Sequence, residues 1–235
     1  MTHAGISRQG GREVNEDAFL CVERGANACF AVADGLGAHG KGDVAARLLT
    51  EAFAREFGAT AEPNGAFLAK AFDAAQKEIL AARQTAREMK TTGVALAVAG
   101  GKLAWGHIGD SRLYFFRGGK LRLRTLDHSV PQMLALSKQI RNEEIARHPD
   151  RGKLLRVLGE PWDSPRYELS KARKISSKDA FLLCSDGFWE LIDDGCMASC
   201  LKKSGNAEDW LFAMLSSADW TGAGQDNYTA VAVMM

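Results

Sequence analysis

No stretch of this chain is long and apolar enough to span a bilayer, and no apolar leader core stands near residue 1. The sequence is therefore expected to carry neither a membrane anchor nor a secretion signal. An excess of one charge is also missing. With 30 Lys and Arg against 29 Asp and Glu, no bulk field draws the chain to nucleic acid or to an anionic membrane. Cysteine is sparse and unpatterned. Cys21, Cys29, Cys184, Cys196 and Cys200 are an odd set without zinc-ribbon spacing, and Cys29 and Cys184 fall inside apolar runs, where a cysteine is usually a small core residue. A reducing, cytoplasmic setting is the expectation. Proline is scarce at 5 residues, and no Pro/Ser-rich linker, repeat or low-complexity tract divides the 235 positions. One domain over 1–235 is expected, with ample length for a proper core.

What is present is a change of period along the chain. Short apolar runs read as strands over 18–22 and 28–33. Helical spacing follows over 43–57, with Val44, Leu48, Leu49, Ala52 and Phe53 recurring, and again over 66–87 after the break at Pro63-Asn64-Gly65. The period then falls to two. Strands are expected over 94–98 and 103–107 around Gly100-Gly101, and over 112–117 and 120–125 around the hairpin signal Gly118-Gly119. Residues 126–173 are polar and mixed, with short helices expected near 131–137 and 143–146. A strand at 180–185, a helix near 208–217 and a strand running to Met235 complete the chain. Directly joined strands pair antiparallel, and helices that come in pairs cover sheets rather than alternate with strands, so an α+β layering is expected.

The apolar runs end in acid. Asp34-Gly35 follows Ala28 to Ala33, and Asp186-Gly187 follows Ala180 to Ser185. Ile108-Gly109-Asp110 and Asp226-Asn227 stand at two further strand ends. Asp-Gly alone is an ordinary turn pair; the recurrence at successive strand ends points to a cluster. Two ionised carboxylates ~4 Å apart repel by about 4 kcal/mol at an effective dielectric of ~20. Such a cluster either raises its pKa values or takes up cations, and Mg²⁺ and Mn²⁺ favour this all-oxygen donor chemistry. Gly35 would let its carbonyl approach an ion, while Gly187 is expected to serve only the turn. A second charged set, Arg12-Glu13-Val14-Asn15-Glu16-Asp17, adds a planar fork suited to phosphate and two acids able to order water.

A glycine-rich stretch competes with this reading. Gly35-Leu36-Gly37-Ala38-His39-Gly40 matches G-x-G-x-x-G, and with Lys41 most of a phosphate-binding loop, between a strand and a helix. Against nucleotide binding, Gly42 replaces the hydroxyl that would hold Mg²⁺, Asp34 places negative charge where a phosphate would lie, and the following elements form hairpins rather than βαβ units.

Taken in order, these motifs resemble the metal-dependent serine/threonine phosphatases of the protein phosphatase 2C family, bacterial type. The matching stretches are Arg12 to Ala18, Val32 to Gly37, Thr91-Thr92, Gly109-Asp110-Ser111-Arg112, Asp127-His128-Ser129, Leu155 to Gly159, Cys184-Ser185-Asp186-Gly187 and Asp226-Asn227-Tyr228-Thr229. The resemblance implies a four-layer α-β-β-α sandwich with two Mn²⁺ or Mg²⁺ ions at one edge. It implies that Asp34 bridges the ions and the Gly35 carbonyl binds one, with Asp186 and Asp226 as further ligands. Glu16 and Asp17 would hold metal-bound water, Asn227 would support the site by hydrogen bonding, and Arg12 would bind phosphate. Asp110 matches a position that contributes to a third, weaker ion in bacterial relatives. Residues 126–173 cover a flap that affects substrate choice. The implied chemistry is attack on phosphoserine or phosphothreonine by a hydroxide between two ions ~3.5–4 Å apart. Phosphoproteins are then the substrates, a bacterial Ser/Thr kinase the opposing partner, and a monomer the expected state. No Cys-x5-Arg loop suggests a cysteine phosphatase instead. Two positions depart from the pattern. Leu36 stands where some relatives carry a histidine, and Arg166 follows Pro165 where a further acidic ligand is expected. A non-catalytic phosphoprotein-binding module on the same fold is the alternative from a different class.

Overall fold

The apolar run at 28–33 serves two cores at once. It lies in β3 (Asn27–Leu36), where Ala28, Phe30 and Val32 face one side and Cys29, Ala31 and Ala33 the other, all fully buried. Successive strand residues point to opposite faces, so a strand apolar on both must be covered on both. The computed structural model describes residues 1–37, 41–83, 89–222 and 224–235 and shows what covers it.

On one face lie α1 (Gly42–Ala59) and α2 (Gly65–Ala82). Leu49, Phe53 and Phe72 reach down onto small sheet residues, Cys29, Ala31, Ala33, Ala95, Ala97 and Ala104. Large helix side chains over a floor of alanines let the helices sit close. Gly93 belongs to that floor, since a Cβ there would stand 2.5 Å from Leu49. Asn64 caps α2 by accepting from the Ala66 and Phe67 amides at 2.9 and 3.3 Å. On the other face of β3 lies a second sheet, with Phe30, Val32, Leu96 and Trp105 meeting Phe115, Phe181, Leu183, Val231 and Val233.

The helix-covered sheet contains β2 (Asp17–Arg24), β3, β5 (Gly93–Ala99), β6 (Lys102–Ile108) and β10 (Arg173–Lys174), with β4 (Lys90–Thr91) beside β3 and β9 (Glu168–Leu169) beside β6. The second sheet runs β1 (Thr2–Arg8), β12 (Tyr228–Met234), β11 (Asp179–Cys184), β7 (Arg112–Arg117), β8 (Lys120–Arg124). All of these pairings are antiparallel. The outer face of the second sheet is covered by α4 (Asp186–Trp189), α5 (Asp194–Lys203) and α6 (Ala207–Leu215). There Phe188, Met197, Trp210 and Met214 pack on Tyr114, Phe116, Leu182 and Ala232. The expected α-β-β-α layering is present.

Segment 126–173 holds α3 (Val130–Leu136) and a 3₁₀ turn at Asn142–Arg147, close to the two short helices expected there. The second helix is described as far as Ala82; the expected continuation toward 87 falls on residues 84–88, which lie outside the described residues, as do Ala38, His39 and Gly40 of the glycine-rich stretch. The longest elements that were not expected are β1 and α5. β1 has few apolar residues of its own and owes its strand form to full pairing with β12, from Thr2 opposite Met234 to Arg8 opposite Tyr228. The helix α5 opens on Asp193, whose side chain accepts from the Cys196 amide at 2.7 Å, a capping signal that was legible.

Phe181 is fully buried between the sheets and stacks on Phe115 with ring centroids 4.9 Å apart. Phe181→Ala is expected to lower the free energy of unfolding by about 3–5 kcal/mol. Urea denaturation checks this, and a loss under about 1 kcal/mol would show that the inter-sheet layer does not hold the sandwich together.

Candidate metal centre

Both sheets deliver acid to one edge of the sandwich. Asp34 continues the inter-sheet row of Ala28, Phe30 and Val32, and Asp17 stands directly opposite it on β2. Cross-strand partners share a face, so the two carboxylates point into the same gap. Asp186 follows β11, Asp226 precedes β12, and Asp110 lies just beyond β6. Asp34, Asp186 and Asp226 line a cleft of ≈ 660 Å³ with Arg12, Glu16 and Gly35.

The strand ends are latched together by short polar contacts. Asn227 accepts from the Glu16 amide at 2.8 Å and donates to the Gln9 and Val14 carbonyls at 2.7 and 3.0 Å, tying β12 to the loop before β2. Ser185 donates to Asp17 at 2.7 Å and accepts from the Thr229 amide at 3.0 Å. Thr92 accepts from the Asp34 amide at 3.1 Å, and its own hydroxyl lies 2.6 Å from that of Ser111. Glu16 reaches the start of α1, accepting from the Gly42 amide at 3.0 Å.

The glycines have closer duties than a turn. A Cβ on Gly35 would lie 2.1 Å from the Gly42 carbonyl oxygen, and one on Gly42 would lie 2.5 Å from the Gly35 carbonyl carbon. This bare backbone contact seats α1 beside Asp34, so Gly42 is no failed phosphate-loop residue. The expectation that Gly187 serves only its turn is corrected. A Cβ there would stand 2.2 Å from the Asn227 carbonyl oxygen, so Gly187 lets α4 lie against the start of β12.

Asp110 is positioned by two interlocked motifs. His128 grips Gly109 from both sides, with the Gly109 amide donating to Nδ1 at 3.1 Å and the His128 amide donating to the Gly109 carbonyl at 2.9 Å. Gly109 has φ +93°, a conformation that glycine adopts freely. Arg112 makes a buried bidentate pair with Asp127 at 2.8 and 2.6 Å and lies 3.4 Å above the Trp189 ring, whose Nε1 donates to the Asp110 carbonyl at 3.0 Å. The Oδ1 of Asp110 is buried without a partner.

Two residues that sequence reasoning missed complete the electrostatics. Arg151 hydrogen-bonds Glu190 and lies 3.6 Å from Asp186. Glu190 sits four residues after Asp186, a like-charge spacing on a helical turn that could have drawn attention. Arg12 donates to Asp226 at 2.6 Å. Burial lifts Asp17 to about 7, and burial followed by the nearby Asp186 lifts Glu190 to about 7. Burial, then the neighbouring carboxylates with Asp186 foremost, holds Asp34 and Asp110 well above the usual carboxylate range, and burial raises Asp186 and Glu16 as well.

A second group of donor atoms, on His107, His128 and Glu168, lies within 4.8 Å of one another. It fits a cation poorly. The Gly109 amide fixes His128 Nδ1 as an acceptor, so Nε2 carries the proton and donates to Glu168 at 3.2 Å, while His107 Nε2 donates to the Leu126 carbonyl at 2.9 Å. Burial pushes His128 down to about 4, consistent with a neutral, hydrogen-bonded imidazole.

Each raised carboxyl keeps its proton in the folded chain at a pH where the unfolded chain has lost it. It therefore stabilises the fold at low pH, and the contribution fades as pH rises from about 4 through the folded value, about 7 for Asp17. Without divalent ions, the carboxyl contribution to the melting temperature should fall over that window. The difference between the natural chain and Asp34→Asn isolates it from His128, which acts in the opposite direction. Binding of Mn²⁺ should release protons. Calorimetry in two buffers of different ionisation enthalpy reads that release, and no release together with a flat difference profile would refute the coupling.

The same motifs recur in known proteins. A family model described as Protein phosphatase 2C matches residues 4–222. The serine/threonine protein phosphatase PstP of Mycobacterium tuberculosis is 35% identical over 227 residues, covering 94% of this chain and 42% of PstP, so the chain spans less than half the length of that relative. The serine/threonine phosphatase stp of Listeria monocytogenes is 32% identical over 211 residues, covering 86% of this chain and 82% of stp. The solved catalytic domain of PstP in complex with two manganese ions is 32% identical, with a TM-score of 0.79 over 98% of this chain and 96% of that one. Fold, motif order and match along nearly the whole length agree: the chain belongs to the protein phosphatase 2C family.

Proposed function

We propose that this chain hydrolyses phosphoserine and phosphothreonine in proteins at a centre of two divalent ions, Mn²⁺ or Mg²⁺. The observation that carries the reading is the convergence of Asp34, Asp186 and Asp226 in one cleft, with Arg12 at its rim. The donor set fits such ions. It is all oxygen, and burial, followed by like charge within the set, lifts Asp34 and Asp186 above the ordinary carboxylate range. The structure of PstP with two manganese ions supports the same count.

In this reading Asp34 lies between the two ions, with the Gly35 carbonyl, Asp186 and Asp226 as the other protein ligands. Glu16 and Asp17 orient water around them, and Asn227 holds Glu16 and the Asp226 segment in register. Asp110 would contribute to a third ion, which its unpartnered buried oxygen supports. When bound, the ions would neutralise the carboxylates and lower the pKa of a shared water from ~15.7 toward neutrality, which supplies the hydroxide nucleophile. Arg12, whose side chain is 54% exposed, offers its fork to the phosphoryl oxygens and stabilises the charge that develops on them. A phosphate removed from serine or threonine was placed there by a Ser/Thr kinase, so a bacterial kinase of that type is the opposing activity. The free cysteines support a reducing, cytoplasmic setting.

Hydrolysis of p-nitrophenyl phosphate and of phosphothreonine peptides should appear with Mn²⁺ and vanish with chelator. Asp34→Ala and Asp186→Ala should each lower turnover by more than about 100-fold while circular dichroism stays native, and Arg12→Ala by roughly 10²–10³. Turnover that survives exhaustive chelation would sink the proposal.

A further inference from the structure

Along one side of the sandwich the two sheets part. β8 ends one sheet and the short strands β9 and β10 flank the other, and a second cleft of ≈ 320 Å³ opens between them. Trp105, Leu123 and Leu169 provide apolar surface, and Arg124, Lys171 and Arg173 provide charge. Arg173 spans the gap, 5.3 Å from the Trp105 ring centre on one sheet and 6.0 Å from that of Phe115 on the other.

Arg124, Lys171 and Arg173 line the cleft, and none has an ion-pair partner among the described residues. The carboxylate on the cleft wall, Glu168, is already engaged by His128 and Arg156, each at 3.2 Å. Like charges held near one another repel, so three cations without an acidic partner on one cleft are a cost in a chain whose overall charge is balanced. Basic residues on edge strands also discourage unwanted pairing, but that duty requires neither a cleft nor an aromatic floor.

One end of the cleft lies near Asp110. His107 lines it three residues before Asp110, which at ~3.3 Å or less per residue puts its near end within about 10 Å of Asp110, and Arg173, paired with Leu103, roughly 23 Å away. An extended peptide with its phosphorylated residue at the centre would lay positions roughly three to seven residues away along this cleft.

We propose that the groove between β8 and β9–β10 docks an acidic segment of the phosphoprotein substrate, selecting sequences with Asp and Glu several residues from the phosphorylated position. The proposal rests on the phosphoprotein substrate argued above. The test uses the full chain with Mn²⁺ and four probes. They are p-nitrophenyl phosphate, a neutral phosphothreonine peptide, and that peptide with four acidic residues placed four to seven positions away on its N-terminal or its C-terminal side.

One acidic peptide should exceed the neutral one in kcat/KM by about 10-fold or more. The advantage should disappear at 0.5 M NaCl and in Arg124→Glu/Lys171→Glu, with p-nitrophenyl phosphate turnover unchanged. The milder Arg124→Ser/Lys171→Ser should reduce it if charge reversal disturbs folding. Equal kcat/KM for acidic and neutral peptides, or an advantage that survives charge reversal in a folded variant, overturns the docking groove. Absent turnover of both p-nitrophenyl phosphate and the neutral peptide overturns the phosphatase reading instead. Binding of oligo(dT) or phosphatidylglycerol vesicles that charge reversal abolishes, without any peptide preference, assigns the cleft to nucleic acid or membrane and overturns the proposal.

Discussion

Asp17 and Asp34 stand opposite each other on paired strands, and Asp186, Asp110 and Asp226 converge on them from three other strand ends. Like charge held away from water is expensive, and much of the surrounding structure makes sense as the means of holding it. Arg12 takes Asp226 and Arg151 lies by Asp186, so two exposed cations offset part of the repulsion. Hydroxyls of Ser185 and Thr92 and the amide of Asn227 fix the backbone around the acids. The burial that raises the pKa values of Asp17, Asp34, Asp110 and Asp186 is also what would make a divalent ion, with its concentrated charge, a better partner for the cluster than water or a proton.

Two sheets are needed to build such a cluster. Asp34 and Asp17 come from one, Asp186 and Asp226 from the other. The inter-sheet aromatics, Phe30, Trp105, Phe115 and Phe181, thus set the distance across which the acids face each other. The buried Arg112 and Asp127 pair does similar work at the Asp110 corner, and it is bound to both the Trp189 ring and the start of β7. Removing one member would leave an uncompensated charge in the interior, which is far more damaging than never having the pair.

Much of this was legible in the residues. The acid-tipped runs at Asp34 and Asp186 and the hairpin at Gly118-Gly119 could be read locally, because period and turn chemistry are local. The layering followed from directly joined strands and paired helices. What could not be read depends on distant partners. β1 is a strand because β12 lies beside it. Gly187 and Gly42 are glycines because Asn227 and Gly35 approach them, from 40 and 7 positions away. Glu190 and Arg151 matter through contact with each other and with Asp186, and nothing local to Arg151 points to that contact. Asp127-His128-Ser129 was recognisable as a motif, yet its work of gripping Gly109 and Arg112 is visible only in three dimensions.

β3 supplies side chains to both cores and ends on Asp34, so its side chains are committed by odd and even position along their whole length. A conservative exchange at one position disturbs one core. An insertion or deletion of a single residue is a different event, because every later side chain swaps faces. Phe30 and Val32 would turn toward the helices, Cys29 and Ala31 toward the opposite sheet, and Asp34 would leave the gap it shares with Asp17. The strand can drift in composition over evolutionary time, but its length is fixed by the charge at its tip.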